Sequence, residues 1–207
     1  PWRWSSLHFE LQSELSLRAT LELYWQLERM QCAWRQGLGR ELQLLETTQP
    51  LSVFVYRDRR RFPIPRERAE RVAWLGLGPS LYIDAEQGLP DQEWRALALR
   101  ERIEQSFTRL EGASTLPLCW AEGLARLAAR GPWPAEGMPS WPALELPSEL
   151  PARVFKSRTR HKLSEVLRVT FQDLDFLSGF VLRSEESQAL VAWALALGGD
   201  QVRQRSV

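Results

Sequence analysis

The chain has 207 residues, and 44% of them are hydrophobic, which is enough for the buried core of one large domain. Its 27 Lys and Arg residues against 26 Asp and Glu residues leave a formal charge of +1, so no overall field attracts nucleic acid, anionic lipid or acidic substrates. No stretch approaches the ~18 uninterrupted apolar residues that a membrane helix needs. The chain starts at Pro1 rather than Met, from which we expect that a tag, leader or preceding domain has been removed.

Residue patterns in the first half predict a small sheet backed by a long helix. Leu7 to Gln12 alternates apolar and polar residues, as a half-buried strand does. From Leu15 to about Leu38 the apolar residues recur every three or four positions, which predicts an amphipathic helix that ends at Gly37 or Gly39. Three further strands are predicted at Leu51 to Tyr56, Val72 to Leu75 and Leu81 to Asp84.

The second half is predicted to be mainly helical. Apolar residues at helical spacing predict one helix between Pro90 and Gly112, and a second from Pro117 to about Ala128. Six prolines between Gly131 and Pro151 indicate an irregular loop. A closing helix is predicted from a capping Ser184 to the Gly198-Gly199 pair.

The whole chain, 1–207, is therefore predicted to fold as one α+β domain, with a β-rich half of about 1–88 and a helical half of about 89–200. Cys32 and Cys119 lie far apart in apolar helical contexts, where an inert buried thiol is favoured over a disulfide. No phosphate-binding glycine loop and no nucleophile motif appears at a useful spacing.

The predicted helical pair carries charged residues at a spacing that zinc peptidases use. In a His-Glu-x-x-His site, two imidazoles at i and i+4 bind zinc beside a general-base glutamate, and in one large class the next helix supplies a third ligand. In this chain Arg100 and Glu104 occupy the i and i+4 positions, and Glu101 occupies the position of the base. Glu122 follows 18 residues after Glu104, a separation that suits a glutamate ligand on the next helix.

The segment from Leu116 to Ala125, LPLCWAEGLA, is similar to a Pro-x-Trp-x-x-Glu-Gly-x-Ala signature, with one residue inserted between Pro117 and Trp120 and one fewer between Trp120 and Glu122. Through this segment and the order of the predicted elements, most of the chain resembles the gluzincin clan of zinc peptidases, in particular the minimal bacterial peptidase-MA-like domains. The resemblance implies a thermolysin-like fold, with Glu101 as the catalytic base and Glu122 as the third zinc ligand. It also implies a location in the bacterial cell envelope or periplasm, because many relatives of this type look exported.

The residues at these positions exclude the zinc chemistry of that clan. A guanidinium has no lone pair to donate to a metal, so Arg100 cannot be a ligand, and His8 and His161 do not replace it at helical spacing. We therefore expect no catalytic residue, no metal and no cofactor. We expect the Arg100 guanidinium to fill the volume of the lost metal and to pair with Glu104 and Glu122. The alternative is that this charged run is a solvated helix face without tertiary partners.

A local basic cluster lies between Arg57 and Arg71 and includes Arg59, Arg60 and Arg61. An anion or a nucleic acid is a conceivable ligand for it. The interspersed acidic residues and the near-neutral net charge favour a solvated loop instead.

Two tryptophans in the Pro-rich loop, Trp133 and Trp141, are candidate anchors for a partner protein. Aromatic residues in irregular segments more often fold back onto their own domain. If both indoles are exposed together, this loop becomes the best interaction surface of the chain.

Three functions are consistent with the sequence. The first is a pseudopeptidase that serves as a scaffold or interaction module for another protein or peptide, with a peptide groove beside the sheet edge. The second is a hydrolase that uses Glu101 and Glu122 without the usual zinc site, which requires a close pair of carboxylates with raised pKa values. The third is an anion or nucleic-acid binder that uses the Arg57 to Arg71 region.

Overall fold

The structure is a computed structural model that describes residues 1–39, 49–67, 70–74, 80–90, 93–107, 118–130 and 186–192. Its strands are β1 (Trp2–Ser5), β2 (Phe9–Ser13), β3 (Leu51–Tyr56), β4 (Val72–Trp74) and β5 (Ser80–Asp84). Its helices are α1 (Leu17–Trp34), α2 (Glu93–Phe107), α3 (Leu118–Arg130) and α4 (186–192). The predicted α+β class is therefore confirmed. In these ranges no helix combines the length and the apolar composition that crossing a membrane requires.

The strands form one mixed sheet in the order β1, β2, β3, β5, β4. The three inner strands β2, β3 and β5 run parallel to one another. The two outer strands, β1 and β4, are each antiparallel to their neighbour. Parallel strands need a crossover connection, and α1 provides part of the connection between β2 and β3.

Helix α1 begins at a side-chain cap and ends near a glycine. The Ser16 hydroxyl accepts a hydrogen bond from the backbone N–H of Ala19 at 3.3 Å, which satisfies a free donor of the first turn. A π-helical turn, Arg35–Gly39, follows α1, and within it Gly37 leaves the helical region with φ −87° and ψ −115°. Helix α1 therefore ends at Trp34, within one turn of Gly37, the first of the two predicted end positions.

Within the described residues, one face of the sheet and the helices enclose a hydrophobic core. Alternate residues of β2, β3 and β5 are buried on this face, as the period-two pattern predicts. The buried strand residues are Phe9, Leu11, Leu51, Val53, Val55, Leu81 and Ile83. The opposite face carries half-buried aromatic residues, among which the rings of Phe54 and Tyr82 stack at 5.0 Å.

The first strand differs from the prediction. The segment predicted as Leu7 to Gln12 forms β2 from Phe9 to Ser13, and β1 precedes it as a separate edge strand that the sequence pattern did not indicate. All four residues of β1 are exposed, so its alternation carries no burial signal. Several predicted features lie outside the described residues, namely the strand end at Leu75, the helix end at Gly112, the helix start at Pro117, the loop from Gly131 to Pro151 and the cap at Ser184.

Candidate functional site

Helices α2 and α3 pack against each other and bring their charged residues into the interior. On α2 the run from Arg100 to Arg102 is buried, and on α3 the carboxylate of Glu122 is buried. Burying a charge is costly unless it is paired and hydrogen-bonded, so the arrangement of these groups determines how the two helices can pack.

The guanidinium of Arg100 forms an ion pair between the two helices. Its Nη1 donates to Glu122 Oε2 at 3.3 Å, and the side chains of Arg100 and Glu122 are 3% and 1% exposed. Its Nε lies 3.8 Å from Oε1 of Glu104, one turn further along α2. The ion network predicted from the spacing is therefore confirmed. The alternative of a solvated helix face is wrong, because the partners are buried.

A second arginine, which the sequence reasoning did not single out, holds the other oxygen of the same carboxylate. Arg126 Nε donates to Glu122 Oε1 at 2.6 Å. Glu122 thus bridges Arg100 on α2 and Arg126 on α3, and each of its oxygens accepts a charge-assisted hydrogen bond. The i, i+4 spacing from Glu122 to Arg126 is the signal that could have identified this partner.

The neighbouring residues on α2 have separate partners. Glu101 Oε1 accepts from Gln105 Nε2 at 2.9 Å. Arg102 lies over the ring of Phe9 at 4.7 Å and donates to the backbone oxygen of Gln49 at 3.0 Å, which ties α2 to the sheet. Burial lowers the pKa of Arg102 to about 10, so the side chain is still charged at neutral pH.

The geometry does not fit a metal ion. The three positions at which the resemblance to zinc peptidases implies metal ligands hold Arg100, Glu104 and Glu122, and the guanidinium contacts both glutamate side chains. A permanently protonated group at the centre of the site repels a cation rather than binding it. Among the residues that the structure describes, no group of three or more His, Cys, Asp and Glu side chains is placed to hold a metal.

A glycine allows α4 to approach the site closely. A Cβ atom on Gly123 would lie 2.4 Å from the backbone oxygen of Ser187 and 2.7 Å from Cγ2 of Val191. Both distances are shorter than van der Waals contact, so α4 can pack here only against a residue without a side chain. Gly123 therefore allows α4 to pack closely against α3, next to the position of the buried Glu122.

The carboxyl group of Glu104 has a higher proton affinity in the folded protein than in water. The pKa of Glu104 is raised to about 8, mainly by burial and further by the nearby Glu101 and Glu122, while Arg100 partly offsets this rise. The folded state therefore binds this proton more tightly than the unfolded state, whose pKa is near the ordinary value of 4.5. This group makes folding less favourable as the pH rises from about 4.5 to about 8, and its effect is constant at higher pH.

Replacing Glu104 by glutamine should remove that pH dependence. At pH 5 we expect the variant and the wild type to have similar unfolding free energies. At pH 9 the variant should be more stable by up to about 5 kcal/mol, the equivalent of the pKa difference. Urea denaturation of both proteins at the two pH values measures this. If the unfolding free energies of the variant and the wild type differ by the same amount at pH 5 and pH 9, Glu104 is ionised in the folded protein across this pH range.

The basic cluster is mostly engaged within the domain, and the expectation for Arg59 is corrected. Its side chain is 7% exposed, and its guanidinium donates to Asp84 Oδ2 at 3.1 Å and to the backbone oxygens of Glu70 and Pro65 at 2.7 and 3.2 Å. It also lies 4.5 Å from the centre of the Phe62 ring. Arg59 therefore joins the segment after β3 to the end of β5 and is not available to a partner.

The other arginines of the cluster divide between paired and exposed positions. Arg61 contacts Glu14, and Arg66 donates to Glu86 at 3.1 Å. Arg60 is exposed. The two other predicted contact residues, Trp133 and Trp141, lie outside the described residues.

A Ser-His-Glu group lies at the turn between β1 and β2 but is not arranged for nucleophilic catalysis. His8 Nδ1 lies 3.0 Å from Oε2 of Glu28 on α1, and the Ser6 hydroxyl contacts the other oxygen of the same carboxylate. The hydroxyl also accepts from the backbone N–H groups of His8 and Phe9. A nucleophilic serine donates to the imidazole of its base, whereas this serine donates to the carboxylate and stabilises the turn.

Comparisons of this chain with protein-family models, with curated proteins and with solved structures gave no match.

Proposed function

We propose that this domain is a catalytically inactive relative of the gluzincin peptidases that acts as a scaffold or interaction module for another protein or peptide. The observation that supports this is the buried pair of Arg100 and Glu122, which joins two helices at the positions where such peptidases hold zinc. The Arg100 guanidinium links the two helices electrostatically through Glu122, as a metal ion would, but it cannot activate water as a Lewis acid.

The geometry favours neither of the other two functions. A metal-independent hydrolase needs carboxylates that reach a substrate, yet Glu101 and Glu122 are both buried, and Glu122 is held by Arg100 and Arg126. A nucleic-acid site needs free basic side chains, yet Arg59 is buried against Asp84.

Restoring the two histidines tests the proposal directly. In the double variant Arg100→His, Glu104→His, both imidazoles lie at i and i+4 beside Glu122, so we expect the folded variant to bind one zinc ion per chain. The wild type should carry none. Elemental mass spectrometry of the purified proteins gives the stoichiometry, and competition with a chelator gives the affinity.

A third substitution shows whether the zinc is bound at the intended position. Adding Glu122→Gln to the double variant removes the third ligand and should weaken zinc binding at least about tenfold, as the loss of a ligand does. The proposal is contradicted if the wild type binds zinc stoichiometrically. It is equally contradicted if the double variant folds, as judged by circular dichroism, and binds no zinc.

A further inference from the structure

The exposed apolar surface of the described residues is concentrated at one edge of the sheet. Its large hydrophobic side chains are Trp2, Trp4, Leu7, Leu17 and Trp25, which belong to β1, the turn after it and α1. The ring of Trp4 lies 6.2 Å from that of Tyr24, which in turn lies 6.1 Å from that of Trp25. Strand β1 and helix α1 therefore form one continuous aromatic surface.

The same edge carries backbone groups that no neighbouring strand of the described sheet can satisfy. The N–H of Ser6 donates to the carbonyl of Phe9 at 2.8 Å, and Trp4 pairs with Leu11 in the same register. Hydrogen-bonded pairs alternate along an antiparallel ladder, so the N–H and C=O groups of Arg3 and Ser5 point away from β2. All four residues of β1 are exposed, which leaves this edge open to pairing.

We propose that β1 pairs antiparallel with β1 of a second copy of this chain, so that the sheet continues across a two-fold axis. The register places Trp4 opposite the second copy's Trp4, and Arg3 opposite its Ser5. Arg3 and Ser5 are the residues whose backbone groups point outward, so they form reciprocal hydrogen bonds in both halves of the pair. A two-fold interface uses the same surface twice, as this edge does.

The side chains favour this register over a register shifted by one residue and over a register centred on Arg3. A shift by one residue would place Arg3 on the same face as the second copy's Trp4, since successive side chains alternate between faces. A pairing centred on Arg3 would set two guanidinium groups opposite each other, which is unfavourable. In the pairing centred on Trp4, two indoles meet on the helix side of the sheet, and aromatic cross-strand pairs are stabilising.

On the face of the sheet opposite the indoles, charged side chains of the two copies are complementary. Ser5 pairs with Glu10 on β2, and Glu10 is exposed. Arg3 of one copy therefore faces the second copy's Ser5 and, beyond that small side chain, its Glu10. The backbones of Arg3 and Glu10 are then two strand spacings apart, about 10 Å, which the two side chains can span. By symmetry this charge pair occurs twice.

Sedimentation velocity of the full chain over a range of concentrations tests the dimer. The wild type should show a monomer–dimer equilibrium. Arg3→Glu and Glu10→Arg should each weaken dimerisation about tenfold, because each change acts at two symmetric places. The double variant Arg3→Glu, Glu10→Arg exchanges the two charges and should restore the dimer to within about threefold of the wild type.

A charge change elsewhere provides the control. Arg66→Glu breaks an exposed ion pair with Glu86 at the end of β5, away from β1, and should leave dimerisation unchanged. Circular dichroism confirms that each variant is folded. A wild type that stays monomeric at the highest concentration overturns the proposal. So does a dimer that is insensitive to either single charge change, or one that the double exchange does not restore.

Discussion

Replacing Arg100 by alanine is expected to lower the free energy of unfolding by about 3 to 5 kcal/mol, because it removes one of the two cationic partners of the buried Glu122 carboxylate. The guanidinium contacts Glu122 at 3.3 Å and Glu104 at 3.8 Å, and Glu122 is 1% exposed. Arg126 continues to hold one oxygen of Glu122, but the other oxygen loses its donor. Urea denaturation at neutral pH measures the loss.

An exposed arginine of the same kind provides the matched control. Arg18 Nε lies 2.9 Å from Glu22 at the same i, i+4 spacing, with side chains that are 90% and 58% exposed. Arg18→Ala should leave the unfolding free energy nearly unchanged, because an exposed ion pair on a helix contributes little to stability. If the two alanine variants lose similar amounts, the buried Arg100 network does not hold α2 and α3 together.

If the domain is an inactive relative of the gluzincins, as we propose, the network joins α2 and α3 in place of zinc. A buried ion pair does not always stabilise a fold more than apolar residues would, but breaking one is costly. Because α2 and α3 pair through Arg100, we expect loss of its guanidinium to destabilise the packing of the two helices.

The sequence was sufficient to predict the strands and helices in which apolar residues recur with the period of the element and face the core. The strand Leu51–Tyr56 and the helix α1 have alternating or helical apolar patterns that face the core, and the structure places both where they were expected. The pairing of Arg100 with Glu122 was predictable on a different basis. The i, i+4 spacing placed Arg100 and Glu104 on one helix face, and the signature around Glu122 marked the carboxylate on the next helix.

Features that depend on the path of the chain were not predictable from residue patterns. The run around Arg59 has the composition of a solvated loop, yet Arg59 is buried because the backbone oxygens of Pro65 and Glu70 return to its guanidinium. Strand β1 was missed because none of its residues is buried and its four residues are too few for a clear period. The burial of Arg59 and the pairing of β1 both depend on tertiary contacts, which cannot be predicted from the pattern of neighbouring residues in the sequence.

Two opposite substitutions on α3, Gly123→Ala and Ala125→Gly, should both lower the stability of the protein. Alanine is the better helix former by about 1 kcal/mol, so on propensity alone Gly123→Ala should stabilise the protein and Ala125→Gly should destabilise it. At position 123 a methyl group would lie 2.4 Å from the backbone oxygen of Ser187, which cannot move without displacing α4. We expect Gly123→Ala to cost about 1 to 3 kcal/mol from overpacking, and Ala125→Gly to cost at least about 1 kcal/mol from lost propensity and lost packing.

Hydrogen exchange distinguishes a local effect of Gly123→Ala from a global one. If α4 moves away to relieve the overlap, the amides of residues 186–192 should exchange faster in this variant while those of α1 remain protected. Urea denaturation gives the total loss of stability. A Gly123→Ala variant that is more stable than the wild type would mean that helix propensity outweighs the contact with Ser187, and that α4 does not hold its position by close approach to α3. Faster exchange at 186–192 together with the loss of stability would instead show that the packing of α4 against α3 depends on Gly123.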